Sequence, residues 1–273
     1  MRASATLAAA LLVASAGAAR ADAPFAPPAA VAIPFGPLGE AIRHGEKVAT
    51  RTSSYAKANV GAGLDCTSCH IKGARAPNAL PWVGLWGVYP EYDPRSGRVI
   101  TLADRINECF RRSMNGKPLL LDSAEMRGLL SFIWWLSKDV PTGVSVEGRG
   151  FKPVEASRPA DPAKGGILYA AKCAACHGVL GQGVMGAGGY TVFPALWGPR
   201  SFNIGAGMAR LDTAAAFVKA KMPLGGPALT DQEAYDVAAY FTRRPRPDFK
   251  AKSRDWPNRD KPPNRVKPRD ARY

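Results

Sequence analysis

Two short runs carry residue types whose chemistry is specific: Cys66-Thr67-Ser68-Cys69-His70 and Cys173-Ala174-Ala175-Cys176-His177. Cys-x-x-Cys-His is the attachment signature of c-type haem. Its thiols form thioethers with the vinyl groups, and the adjacent imidazole supplies a nitrogen to iron. Zinc does not need a His directly after the second Cys in both runs, and a thioredoxin-like pair belongs in a βαβ setting that is missing here. The reading is two covalently bound haem c groups, attached at Cys66, Cys69, Cys173 and Cys176, with His70 and His177 as proximal ligands.

The fifth cysteine, Cys109, lies in TLADRINECFRRSMNG, residues 101–116. On a helix, positions four apart share one face. Arg105, Cys109 and Ser113 therefore form one stripe of a cation, a thiol and a hydroxyl, which suits a small anion with a soft sulfur centre. The plainer reading of a lone Cys is a small buried hydrophobe. An unpaired thiol is nevertheless unusual in an exported chain.

Helices must position these groups, and the pattern of elements occurs twice. Leu38 to Thr50 reads as a first helix ahead of the first Cys run. A Pro/Trp loop with Pro81, Trp82, Trp86 and Pro90 follows it. Thr101 with Asp104 makes a capping-box start for the helix of Cys109. Asp122 or Ser123 caps a further helix to Leu136, whose Leu129, Leu130, Ile133, Trp134 and Leu136 are expected to face the core. After a Gly/Pro-punctuated linker the order recurs. Ala163 to Lys172 leads into the second Cys run, a Gly-rich loop carries Phe193 to Gly198, a helix spans about Asp212 to Lys221, and Thr230 caps a last one from Asp231 to Thr242. This repeat predicts two small all-α domains, each with little to bury and so well served by a large apolar cofactor. The expected boundaries are 22–148 for the first domain, 149–162 for the linker and 163–242 for the second.

The ends differ from this body. Arg2, the apolar run Leu7 to Val13 and Ala19-Arg20-Ala21 read as a secretory signal peptide over residues 1–21. No run reaches the ~20 apolar residues of a membrane span. The formal net charge is +15, and residues 243–273 hold 12 Lys/Arg and 4 Asp, a net +8. Such a basic, Pro-rich end is expected to be a solvated tail, or to steer an acidic partner. An export signal argues against nucleic acid.

The remaining axial ligands are less marked. In the second half Met222-Pro223 lies between two helices, with Met185 and Met208 as rivals. Its neighbour Lys221 reads either as a solvated lysine at a helix end or as an alternative amine ligand. In the first half, register with the second selects Met114, since Met114 precedes Asp122 by the eight residues that separate Met222 from Thr230. Cys109 is its competitor. His44, the remaining His, sits on a polar helix among charged residues.

The segments IPFGPLGEAIRHG, LDCTSCH, PEYDPRSGRVITLADRINECFRRSMNGKPL, FPALWGPRSFNIGAGMARL and AAFVKAKMPLG together resemble the dihaem thiosulfate dehydrogenases, the tetrathionate-forming cytochromes, over about residues 33 to 250. The resemblance implies two class I cytochrome c-like domains in tandem, in the bacterial periplasm. It implies oxidation of two thiosulfates to tetrathionate, with the reverse reduction in some members, and an external electron-transfer protein of cytochrome or high-potential iron–sulfur type. Against the register argument it places Cys109 opposite His70 on an active-site haem. Arg95, Arg105 and Ser113 match substrate-pocket positions. His177 and Met222 match the ligands of an electron-transfer haem, with Lys221 as an alternative ligand to oxidised iron.

Two other functions compete. A dihaem electron carrier without its own substrate explains both haems but not the Arg105/Cys109/Ser113 stripe. The thiosulfotransferase cytochromes of sulfur oxidation also use a Cys-ligated haem, but in their C-terminal domain, whereas here the extra Cys is in the first half.

Overall fold

The computed structural model describes residues 22–258 and residue 261. The expected signal peptide and most of the tail beyond 258 lie outside the described residues.

The first half contains α1 (Pro37–Thr50), the short α2 (Thr52–Tyr55), the single turn α3 (Ile71–Ala74), α4 (Leu102–Arg112) and α5 (Ala124–Leu136). The second contains α6 (Pro162–Lys172), the short α7 (Ala174–His177), α8 (Leu211–Lys221) and α9 (Asp231–Thr242). The helix starts follow the caps written in the sequence. Pro opens α1 and α6, where a missing N–H costs nothing. Thr101 with Asp104 and Thr230 with Glu233 form capping boxes on α4 and α9. Ser123 caps α5 through the Met126 N–H.

In both halves the first helix crosses the last at a glycine. A Cβ on Gly45 of α1 would lie 1.9 Å from the Gly128 carbonyl oxygen of α5. A Cβ on Gly165 of α6 would lie 1.9 Å from the Asp236 carbonyl oxygen of α9. The backbones touch, so apolar residues on either side of each contact close over it. Ile42, Val48, Phe132 and Ile133 do so in the first half, and Tyr169, Val237 and Phe241 in the second, all buried.

Three expectations change. Trp134 is 37% exposed while Trp135 is 1% exposed. The face set by Leu129, Ile133 and Leu136 points away from Trp134, and Trp135 is covered by Phe132 and the Arg75 guanidinium. The fold also contains two small hairpins. β1 (Glu91–Asp93) pairs with β2 (Arg98–Ile100), and β3 (Val184–Met185) pairs with β4 (Thr191–Phe193). The first is turned by Asp93, whose carboxylate accepts from the Ser96 N–H, and by Gly97 at φ +69°, where glycine is favoured.

The third change concerns the tail, whose first part is built into the fold. Arg246 is 1% exposed. It donates to the carbonyls of Leu196 and Phe241 and stacks on Phe202. The chain then crosses to the first half. Asp255, buried, accepts from Arg112 Nη1 and Nη2 (3.0 and 2.8 Å) and from Arg95 Nε (2.9 Å). Trp256 stacks on Arg95 and donates its N–H to the Arg95 carbonyl. Composition suggested solvation, but these side chains have specific partners far away in sequence.

Two stability predictions result. Gly45→Ala pushes α1 off α5 and should cost about 2 kcal/mol or more, as overpacking does. Asp255→Ala leaves buried Arg112 with Glu108 as its one carboxylate partner and strips Arg95 of its own, and should cost about 3 kcal/mol. Denaturant unfolding of the holoprotein checks both, and unchanged midpoints would refute them.

Candidate active site

A cavity of about 290 Å³ opens between the first Cys run and α4. Cys66, Cys69 and His70 line it together with Arg105, Cys109, Ser113 and Met114, and with Leu129 and Ile133 of α5. The helical stripe read from the sequence thus shares one cavity with the attachment motif. Two clamps hold α4 in place. Asn107, buried, exchanges two hydrogen bonds with the Leu119 backbone (3.0 and 2.7 Å). At the other end Asn203 of the second half donates its side-chain amide to the Arg111 carbonyl (2.9 Å) and its backbone N–H to the Arg112 carbonyl (3.2 Å). These bonds satisfy carbonyls that a helix end leaves open.

The motif wall is anchored to α1 and α2. Thr52 Oγ1 accepts from the Cys66 N–H, and Asp65 accepts from the backbone N–H and hydroxyl of Ser53. His70 Nδ1 lies 2.6 Å from the Leu80 carbonyl. A carbonyl only accepts, so the proton sits on Nδ1 and the lone pair on Nε2, as a metal-ligating imidazole requires. Leu80 has φ +51°, a left-handed backbone that costs a leucine energy and that concentrates at functional sites. Burial, aided by the Arg105 charge, brings His70 down to about 4 and keeps it neutral. Burial pushes the unmodified thiols of Cys66 and Cys69 up to about 12, with Cys109 adding to the rise in each.

Arg105 is accessible through the cavity it lines. Cys109 contributes most to raising its pKa, followed among the favourable neighbours by Tyr89 and Asp93. No hydrogen bond or ion pair engages its guanidinium among the described residues, so it is free to meet an anion. Arg95 is the predicted site residue that the fold does not bring to the cavity wall, because Asp255 and Trp256 hold it. Met114 and Cys109 both line the cavity. Met208, a rival ligand of the second half by sequence, lines the first-half cavity instead. Sequence reasoning missed Tyr89, Arg149, Phe202, Ala206 and Gly207 among the lining residues. The last three come from the other half, and no local pattern marks them.

The second motif repeats the imidazole geometry. His177 Nδ1 donates to the Pro194 carbonyl (2.9 Å). Cys173 and Met222 pack on the core, while Cys176 is exposed. Met222 follows directly on α8, which ends at Lys221. Burial, then the charge of Lys72, lowers the Lys221 pKa. Met185 lies on β3, where its sulfur accepts from Thr191 Oγ1. His44 packs edge-on against Tyr55 with Nε2 buried and unpaired, away from the cavity wall.

An apolar cavity, paired cysteines and an imidazole with its iron-side nitrogen left open fit a covalently held haem. A helix crossing and a Cys-x-x-Cys-His run in each half define a tandem c-type cytochrome. Residues 52–142 match the family model described as SoxA/TsdA, cytochrome c domain, and residues 160–241 that of cytochrome c oxidase, cbb3-type, subunit III. A thiosulfate dehydrogenase of Psychrobacter arcticus is 47% identical over 84% of this chain and 71% of its own length. One from Allochromatium vinosum is 46% identical over 84% and 86%. The solved structure of thiosulfate dehydrogenase (TsdBA) from Marichromatium purpuratum superposes with a TM-score of 0.79 at 42% identity. It covers 82% of this chain, which spans half the length of that longer one. The chain belongs to the thiosulfate dehydrogenase family, and it is an oxidoreductase with two covalently bound haem c groups.

The alkaline pyridine spectrum of the purified protein should therefore report two haem c per chain. Cys66→Ala with Cys69→Ala should leave one covalently attached haem, and retention of both would contradict the assignment.

Proposed function

We propose that this protein is a periplasmic thiosulfate dehydrogenase that joins two thiosulfates into tetrathionate and passes two electrons to an external electron-transfer protein. The observation that carries the reading is the Arg105/Cys109/Ser113 stripe in one cavity with Cys66, Cys69 and His70. An electron carrier has no use for a cation, a thiol and a hydroxyl on one open face. The family resemblance of the flanking segments supports the same activity, and among the described residues no helix is long and apolar enough to cross a membrane.

The haems supply one-electron redox chemistry when bound. Cys66 and Cys69 would hold the first and Cys173 and Cys176 the second, with His70 and His177 offering a nitrogen to each iron. Cys109 would offer the first a sulfur as well. Met222 would do so for the second, with Lys221 as the alternative. The chain's own residues then manage charge. Two dianions about 4 Å apart repel by about 4 kcal/mol in bulk water, and by more as water is excluded. Arg105 offers a guanidinium fork that suits oxyanions, and Ser113 one hydroxyl donor. Arg95, paired with Asp255 outside the cavity lining, is assigned no contact with the substrate.

Cys109 carries one thiosulfate between the two steps. Its thiolate and one thiosulfate form a Cys–S–S–SO₃⁻ adduct, with loss of two electrons to the external acceptor. A second thiosulfate attacks the sulfane sulfur of that adduct, releasing tetrathionate and regenerating the thiolate by the chemistry of thiol–disulfide exchange.

Thiosulfate oxidation with a dye acceptor tests the activity. Cys109→Met should keep both haems by absorbance and lose turnover, and full activity in that variant would sink the role of Cys109. Arg105→Gln should lower kcat/KM by roughly 100-fold, the scale of one charge-assisted contact.

A further inference from the structure

Residues of the second half line part of the first-half cavity, and beside them stands a cation that the scheme above does not use. Phe202, Gly207, Met208 and Thr213 are among the lining residues. Arg210, itself outside the lining, stands next to them as the N-cap of α8, its backbone N–H donating to the Gly207 carbonyl. Its guanidinium lies over cavity-lining Gly207, for a Cβ at that glycine would be 4.0 Å from Arg210 Nη2.

Arg210 Nε is buried and has no hydrogen-bond partner. An orphaned buried donor is costly, and native structures keep few of them. One more guanidinium acts on the same region, since Arg105 on the cavity lining bears on Arg210, whereas Arg95 is paired with Asp255. Burial first and then the Arg105 charge lower the Arg210 pKa, while Asp212 pulls the other way. Two like charges beside one cavity, one with a buried donor unpaired, form a site that is completed by an anion.

We propose that Arg210 is an anion-binding residue of the reaction site, contributed by the second half, and that it seats the second thiosulfate beside the first at Arg105. This rests on the thiosulfate reading above. The net reaction shows why a further cation helps. Two thiosulfate dianions yield one tetrathionate dianion, a bond forms between the two sulfane sulfurs, and two electrons leave to the external acceptor. Four negative charges enter the site and two remain on the product. A cation at the second seat therefore holds the incoming dianion against the first. Its grip weakens once the bond has formed, which favours release.

Arg210→Gln and Arg210→Lys in the holoprotein test this, by steady-state thiosulfate kinetics together with the resting EPR spectrum and haem midpoint potentials. Arg210→Gln should raise the thiosulfate KM about tenfold or more, with Arg210→Lys in between. Resting spectrum and potentials should stay at wild-type values, because the residue meets substrate and not the cofactor. A wild-type KM in Arg210→Gln overturns the proposal. So does a shifted spectrum or potential at unchanged KM, which would make Arg210 a partner of the haem carboxylates. Where Arg210→Gln fails to accumulate, Arg210→Lys decides: a severalfold higher KM upholds the proposal and a wild-type KM overturns it. Wild-type protein inactive on thiosulfate would remove the underlying reading and this inference with it, whereas an active wild type with an unaffected variant removes only the inference.

Discussion

Each half is organised by one contact, a glycine of its first helix pressed against a carbonyl of its last. Gly45 on Gly128 and Gly165 on Asp236 bring two backbones as close as any side chain would forbid. Everything that faces the cavity is referred to that contact. Thr52 and Asp65 tie the first Cys run to the segment just after α1, and Leu129 and Ile133 of α5 line the same cavity. The distance between motif and α5 thus follows from how close α1 and α5 can come. A small domain with little else to bury gains rigidity from such a crossing as well as from its cofactor.

Much of this was legible in the sequence because it is local. The capping box at Thr101, the cap at Thr230 and the two Cys runs depend on neighbours within a few residues. The glycine crossings were not legible, since a periodicity of apolar side chains does not register a residue that has none. Arg246 and Asp255 were invisible for another reason. By composition they belong to a basic, Pro-rich end, and their burial comes from partners such as Arg112, 143 positions away.

The choice between Cys109 and Met114 shows where helical arithmetic ends. Arg105, Cys109 and Ser113 keep the four-residue spacing, with Ser113 still in the helical region as the C-cap of α4. Met114 is off that stripe by position, yet it lines the same cavity, because the chain leaves the helix there and its carbonyl accepts from the N–H groups of Gly61 and Ala62. Repeat register and helical stripe therefore lead to one chamber by two routes.

The segment that crosses from Arg246 to Trp256 has a consequence for how the molecule comes into being. A chain is made and exported from its N-terminus, and domains commonly fold in that order. Here the half that is synthesised first is finished last, because the carboxylate that pairs Arg112 and Arg95 arrives only after the second half has been made. The returning segment makes the two halves one unit. Without the second half, the first would lose both the Asp255 carboxylate and the Phe202 to Met208 part of its cavity lining.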